Sequence, residues 1–368
     1  MSTSNKHIII VTSEFPPQPG GIGNHAYNLA LYLSKNNYVV KVIADQRSEK
    51  GEEESGFDKA LPFNVVRIKR YNWRFRMYLK RIQVTYMSFK NASHILATGK
   101  FSLWNVSFLS HFFNNQTIAV VHGSEVNYKS FLLKKSIDKA LQRFHKIIAV
   151  SNYTKKLISH LNRNVEVIPN GIDLSKWELA SMPKIELKGN PVLTTVGRIS
   201  SRKGQLNVIK QLPELIKSFP ELHYHCIGIP SEAEAFIKIA NQLRVQSHVT
   251  FHGSLDDLAL KQILDKTDIF IMLSQESVTG DVEGFGIAIL EANALGIPAI
   301  GSKGCGIEDA IQSNVSGILI DSDDTAQFKK GIQDILQDKS IYESNAIKWA
   351  EQHDWSNIIE RYKALLNE

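Results

Sequence analysis

At 368 residues, with 43% hydrophobic and 22% charged side chains, the chain has an ordinary globular composition and enough length for two cores. No apolar run reaches the roughly 18 residues that cross a bilayer. Two cysteines, Cys226 and Cys305, are too few for a disulfide framework or a zinc site, and the polar stretch Met1–Lys6 lacks signal-peptide architecture, so a cytoplasmic setting is expected. The net charge of +6 hides an asymmetry: residues 1–180 carry 25 Lys and Arg against 12 Asp and Glu, and residues 181–368 carry 18 against 25.

Taken in chain order, residues 8–12 read as a short apolar strand of the kind buried in parallel sheets. A loop with Pro16, Pro17, Pro19, Gly20, Gly21 and Gly23 follows, then an amphipathic helix over 26–34. Strands are expected at 39–44, 65–68, 95–97, 117–121, 146–150 and 165–168, with helical pieces between them, notably 131–144 and 153–161. This alternation predicts a doubly wound α/β domain. The stretch 173–189 contains Pro183 and has no strand period, so the domain boundary is placed there, at 180/181. Strands then recur at 192–196, 222–227, 249–252, 269–273, 298–301 and 317–320. Helices are expected at 206–218, 232–243, 257–266 and 287–295, and three more, 326–337, 341–352 and 355–366, close the chain. Two such halves imply a cleft with ligands at the strand carboxyl ends.

The charge asymmetry is sharpest over 59–124, which holds ten Lys and Arg and no acid. Within it, residues 67–81 interleave cations with aromatics. Three readings stand: a face for an anionic membrane surface, a solvated basic face, or nucleic-acid binding, the last without any accompanying nucleic-acid motif.

Glu283-Gly284-Phe285-Gly286-Ile287-Ala288-Ile289-Leu290-Glu291 is the densest chemical signal. Glycine-flanked backbone opening a helix offers unpaired N–H groups and the positive end of a dipole to an anion. A carboxylate on either side repels that anion but accepts hydrogen bonds from neutral hydroxyls beside it. Phosphate flanked by hydroxyls describes a sugar nucleotide. Arg198 and Lys203 bracket a polar loop after the first strand of the second half, where two cations can stabilise a departing phosphate. His122 ends a strand, poised over the strand carboxyl ends. Asp321-Ser322-Asp323 imitates a metal-binding DxD, but it precedes a helix, so Asp323 or Asp324 reads as an N-cap. His223 and His225 alternate on a strand without further ligands at useful spacing, so no metal site is assigned.

Six separated motifs resemble the retaining GT-B glycosyltransferases of family 4. They are Pro19-Gly20-Gly21-Ile22-Gly23, His122-Gly123-Ser124-Glu125, Val150-Ser151-Asn152-Tyr153, Pro169-Asn170-Gly171-Ile172-Asp173, the segment from Gly197 to Gly204, and Glu283–Glu291. Asp281-Val282-Glu283-Gly284 is similar to the loop of bacterial mannosyltransferases that use GDP-mannose.

The resemblance implies an α/β GT-B fold: an acceptor-binding Rossmann-like domain over 1–180, a nucleotide-sugar-binding one over 181–350, and a terminal helix, 351–368, returning to the first domain. It implies a metal-independent hexosyl transfer with retention, by front-face displacement in which a donor phosphate oxygen takes the acceptor proton, and domain closure over the cleft. The donor expected is GDP-mannose, and the acceptor a glycan or lipid-linked molecule. By the same resemblance, His122, Arg198, Lys203 and Glu283 are the catalytic group. Gly21, Phe285, Gly286, Ile287, Glu291, Gly228 and Gly253 meet the donor, with Glu283 on its sugar and Glu291 on the ribose. Asn24, His25 and Glu125 lie on the acceptor side. Arg202 is expected to face solvent. The alternatives are a UDP-sugar transferase of the same fold, a GT-B sugar-nucleotide epimerase, and a non-enzymatic nucleotide-binding protein.

Overall fold

A computed structural model describes residues 6–71, 73–178 and 185–368. The five N-terminal residues and residues 179–184, where the sequence put the domain boundary, lie outside the described residues. The chain forms two compact units: Met1–Gly171 with Trp355–Glu368, and Ile172–Asp354.

The first unit holds a seven-stranded parallel sheet in the order β3-β2-β1-β4-β5-β6-β7. Its strands are β1 (His7–Thr12), β2 (Val39–Asp45), β3 (Asn64–Ile68), β4 (His94–Thr98), β5 (Gln116–Val121), β6 (Lys146–Ala149) and β7 (Val165–Val167). Ile8 pairs in register with Val40 on one side and His94 on the other, so β1 is central. Val, Ile and Ala dominate these strands because both sheet faces are covered, and the buried run from Ile8 to Val11 is the direct result.

Helices α1 (Gly21–Lys35), α2 (Glu52–Asp58), α3 (Arg74–Phe89), α4 (Lys100–Leu109), α5 (Phe131–Leu141) and α6 (Asn152–Leu157) connect the strands. Helix α3 packs on α4, and α4 on α5. Because the strands are parallel, each connecting helix starts at the strand carboxyl ends, so the amino ends of α3, α4 and α5 share that edge of the unit.

The second unit holds a six-stranded parallel sheet in the order β10-β9-β8-β11-β12-β13. Its strands are β8 (Val192–Val196), β9 (His223–Ile227), β10 (Val249–Gly253), β11 (Ile269–Met272), β12 (Ala299–Ser302) and β13 (Gly317–Ile320). Its helices are α7 (Gln205–Leu215), α8 (Ala233–Gln242), α9 (Asp257–Leu264), α10 (Ile287–Ala294), α11 (Thr325–Gln337) and α12 (Lys339–Gln352). The last helix, α13 (Trp355–Asn367), belongs to the first unit and packs on α1. Trp355 and Tyr362 are buried there beside His25, at ring distances of 5.4 and 6.0 Å.

The basic stretch 67–81 is not one uniform face. Arg67 closes on Asp58 at 2.8 Å, and Arg81 pairs with Asp45, all four side chains largely buried. Those two cations are structural ties between the β2–β3 edge and its neighbours. Arg76 and Lys80 remain exposed. Among the described residues, no helix is long and apolar enough to cross a membrane. Asp324 caps α11, its side chain accepting from the Gln327 N–H at 2.9 Å.

Candidate active site

The sequence-selected residues fall into two groups, one in each unit. In the second unit, the turns after β8, β9 and β10 sit side by side. The Gly228 N–H donates to the Gly253 carbonyl at 2.8 Å. Gly228 has a φ of +139°, and a Cβ there would lie 2.2 Å from the Gly197 oxygen, so only glycine lets these turns approach so closely. Arg198 follows Gly197 and is exposed.

Lys203 ends a short 3₁₀ turn and donates to Glu283 Oε2 at 2.6 Å. Arg202 donates to the same oxygen at 2.8 Å, so it does not face solvent as expected but shares the carboxylate with Lys203. Its main-chain oxygen also accepts from the Gln275 N–H at 3.0 Å, which fixes the loop that leads to Glu283. Burial alone would raise the Glu283 carboxyl, but Lys203 and Arg202 outweigh it and hold the group below its ordinary value. Glu283 is therefore an anion with two cations gathered on one oxygen.

Helix α10 begins four residues later, at Ile287. Gly286 precedes it at a φ of +97°, and its carbonyl accepts from the Ile289 N–H at 2.9 Å, while the N–H groups at the very start of a helix have no helical acceptor. The Phe285 side chain is buried and lies 6.1 Å from the His353 ring, so only its backbone can meet a ligand. Ile287 is half-buried at the helix start. Glu291 lies one turn further along. Burial pushes its carboxyl up to about 7, with Lys203 and Lys176 opposing the rise and Asp257 adding to it.

In the first unit, His122 follows β5, and its Nε2 lies 2.8 Å from Thr98 Oγ1 at the end of β4. Its backbone N–H donates to Glu125 Oε1 at 2.5 Å. Burial, with His25 close by, holds the His122 imidazole well below the ordinary histidine value. Glu125 is fully buried, and burial pushes its carboxyl up to about 7. Its second oxygen, Oε2, has no hydrogen-bond partner. A fully buried carboxyl with one unsatisfied oxygen is costly when charged, so the protonated form is the natural one below neutrality.

His25 is in the same cluster but differently placed. It is 1% exposed, its Nδ1 lies 2.8 Å from Asn170 Oδ1, and its Nε2 lies 3.2 Å from the Tyr362 hydroxyl. Both ring nitrogens are thus engaged inside the unit, and burial lowers its pKa to about 4. Its ring packs edge-on against His122 at 4.9 Å. Asn24 is half-buried and receives a hydrogen bond from Asn28. Gly21 is exposed, and a Cβ there would meet nothing within 4 Å.

Sequence reasoning missed Arg202 as a Glu283 partner, and missed Asn170, Thr98 and Tyr362 as supports of the histidine cluster. Asn170 carried a signal, since it stands in the Pro-Asn-Gly motif, but nothing local tied it to His25. The histidines set aside as metal ligands pair with other groups: His225 Nδ1 lies 2.9 Å from His252 Nε2, and His223 Nε2 lies 2.8 Å from Thr250 Oγ1.

Two family models account for nearly all of this arrangement. Residues 19–176 match Glycosyltransferase Family 4, and residues 180–353 match Glycosyl transferases group 1. A Mycobacterium tuberculosis GDP-mannose-dependent alpha-(1-6)-phosphatidylinositol monomannoside mannosyltransferase is 24% identical over 358 residues, covering 90% of this chain and 89% of the relative. A Corynebacterium glutamicum GDP-mannose-dependent monoacylated alpha-(1-6)-phosphatidylinositol monomannoside mannosyltransferase is 24% identical, covering 92% and 90%. The fold matches that of Anabaena HepE, solved in complex with UDP and glucose, with a TM-score of 0.77 at 18% identity over 98% of this chain and 99% of that one. It also matches TarM, with a TM-score of 0.79 at 12% identity over 100% and 99%. The two family matches and the paired Rossmann-like sheets establish that the chain belongs to the family 4 glycosyltransferases of GT-B fold, retaining hexosyltransferases that draw on a nucleotide-sugar donor.

Proposed function

We propose that the chain transfers an α-mannosyl group from GDP-mannose to a lipid-linked or glycan acceptor in the synthesis of a cell-surface polysaccharide or glycolipid. The observation that carries the reading is the Glu283 constellation. Lys203 and Arg202 meet one of its oxygens at 2.6 and 2.8 Å, and the open first turn of α10 follows within four residues. Such a group offers cations and N–H donors to a diphosphate and a fixed carboxylate to sugar hydroxyls. The choice of mannose and guanine is supported by the GDP-mannose-dependent relatives and by the Asp281–Gly284 loop.

On this reading Arg198 and Lys203 stabilise the leaving diphosphate as its bond to the sugar breaks. Glu283 holds hydroxyls of the mannose, and Glu291 holds the ribose. The backbone around Gly21, Gly228, Gly253 and Phe285–Ile287 lets the nucleotide approach. His122 meets the sugar on the acceptor side. The acceptor oxygen bonds to the anomeric carbon on the face the phosphate leaves, and a phosphate oxygen takes the acceptor proton. His25 has no part in this scheme, because both its ring nitrogens are engaged within the fold.

The test is calorimetric titration with GDP, UDP and ADP, followed by a donor screen that reads free-sugar release. Tighter GDP binding and release of mannose from GDP-mannose are expected. Preference for UDP would move the assignment to a UDP-sugar donor, and no binding of any nucleotide would sink the reading.

A further inference from the structure

The first unit leaves two groups of large apolar side chains in water at the same edge. On one side are Trp73, Phe75 and Leu79, at 77%, 67% and 51% exposure. On the other are Phe131, Leu132 and Leu133, at 74%, 76% and 44%. The first group opens α3 and the second opens α5, with α4 packed between the two helices. Three consecutive exposed apolar residues in one helical turn are unusual on a globular surface that carries no ligand or partner contact.

The charges around them have one sign. Arg76, Lys80, Lys129 and Lys135 are exposed, and Lys134 is half-buried beside them. From 73 to 145 the chain carries eleven Lys and Arg and two acids. One of the acids, Glu125, is buried, and the other, Asp138, lies 2.9 Å from His160 Nε2. Apolar side chains projecting through a ring of cations suit an anionic bilayer: the rings and leucines enter the headgroup boundary while lysines stay at the phosphates. Position adds weight. Five residues separate Glu125 from Phe131, so the His122 loop leads straight into the α5 end of this rim.

We propose that the amino ends of α3 and α5 form a membrane-docking rim for anionic phospholipid, with Phe131, Leu132 and Leu133 as the inserting wedge and Lys134 and Lys135 as headgroup contacts. The rim rests on the reading of a lipid-linked acceptor and sharpens it. It places the contact on two helix ends rather than along 67–81, where Arg67 and Arg81 point into the fold.

The experiment is co-sedimentation of the full chain with phosphatidylcholine vesicles, with and without phosphatidylglycerol, alongside calorimetric nucleotide binding. Wild type should bind the anionic vesicles, weakly or not at all the neutral ones, and release in high salt. The double variant Phe131→Ser/Leu132→Ser should lose binding at least tenfold. Lys134→Ser/Lys135→Ser should lose about fivefold per lysine removed. Both should keep wild-type nucleotide affinity, which confirms that they fold. Absence of wild-type binding to anionic vesicles, or unchanged binding by both variants, overturns the proposal. Failure of the proposed function would show instead as absent nucleotide binding with vesicle binding intact.

Discussion

Lys203 Nζ lies 2.6 Å from Glu283 Oε2, and Arg202 shares that oxygen at 2.8 Å. Three side chains from two loops of the second unit are thus one electrostatic unit, and disturbing any member changes the other two. Glu283 stays ionised only because these cations outweigh its burial.

This coupling separates binding from turnover. Glu283→Gln should lower kcat by about a hundredfold while nucleotide affinity changes only a few-fold, since a neutral amide still fills the space but no longer holds sugar hydroxyls as an anion. Arg202→Ala should lower turnover by about tenfold, with partial rescue by Arg202→Lys. Steady-state kinetics and calorimetry on the same samples check both, and equal losses of affinity and turnover in Glu283→Gln would contradict the role.

Glu125 predicts a pH effect with a definite sign. Its carboxyl is raised from 4.5 to about 7, so the folded protein binds the proton more tightly than the unfolded chain. Its contribution to stability is therefore fully present below about pH 4.5 and is lost as pH rises through 7. Glu125→Gln keeps an acceptor for the His122 N–H and removes the titration. Thermal melts should show the variant more stable than wild type at pH 8, by on the order of 1–3 kcal/mol, and near equality at pH 5. A difference that is constant with pH would rule the titration out.

Two glycines should respond in opposite ways. Gly228→Ala puts a Cβ 2.2 Å from a backbone oxygen at a φ of +139°, and denaturant melts should show a loss of more than about 3 kcal/mol. Gly21→Ala meets open space at the start of α1 and should leave stability unchanged or raise it by about 0.5–1 kcal/mol. Reduced turnover in the stable Gly21→Ala protein would place a substrate against that loop, and full activity would remove Gly21 from the site.

Much of the fold was legible because parallel strands buried on both faces read as short apolar runs. In the second unit, every expected strand and helix has its counterpart within a few residues, from β8 to α12. Helix α3 was hidden: its cations and aromatics do not form a clean apolar stripe, since Arg81 turns inward to Asp45 while Phe75 and Leu79 turn out. The terminal helix looked like any amphipathic helix, and its burial of Trp355 and Tyr362 against His25 depends on contacts more than 300 residues apart in sequence.

The sequence by itself determined the family, the two-sheet plan and the identity of the chemical groups, because motif order and strand period are local properties of a chain. Tertiary structure alone decided which groups act together. Arg202 and Lys203 are neighbours in sequence, yet only folding brings Glu283, some 80 residues on, to both of them. Asn170 and Tyr362 occupy both nitrogens of His25 only because α1, the turn after β7 and α13 converge in one unit, and that convergence buries the ring. Burial and partner geometry fix a side chain's charge and availability, and neither is written at a single position of the sequence.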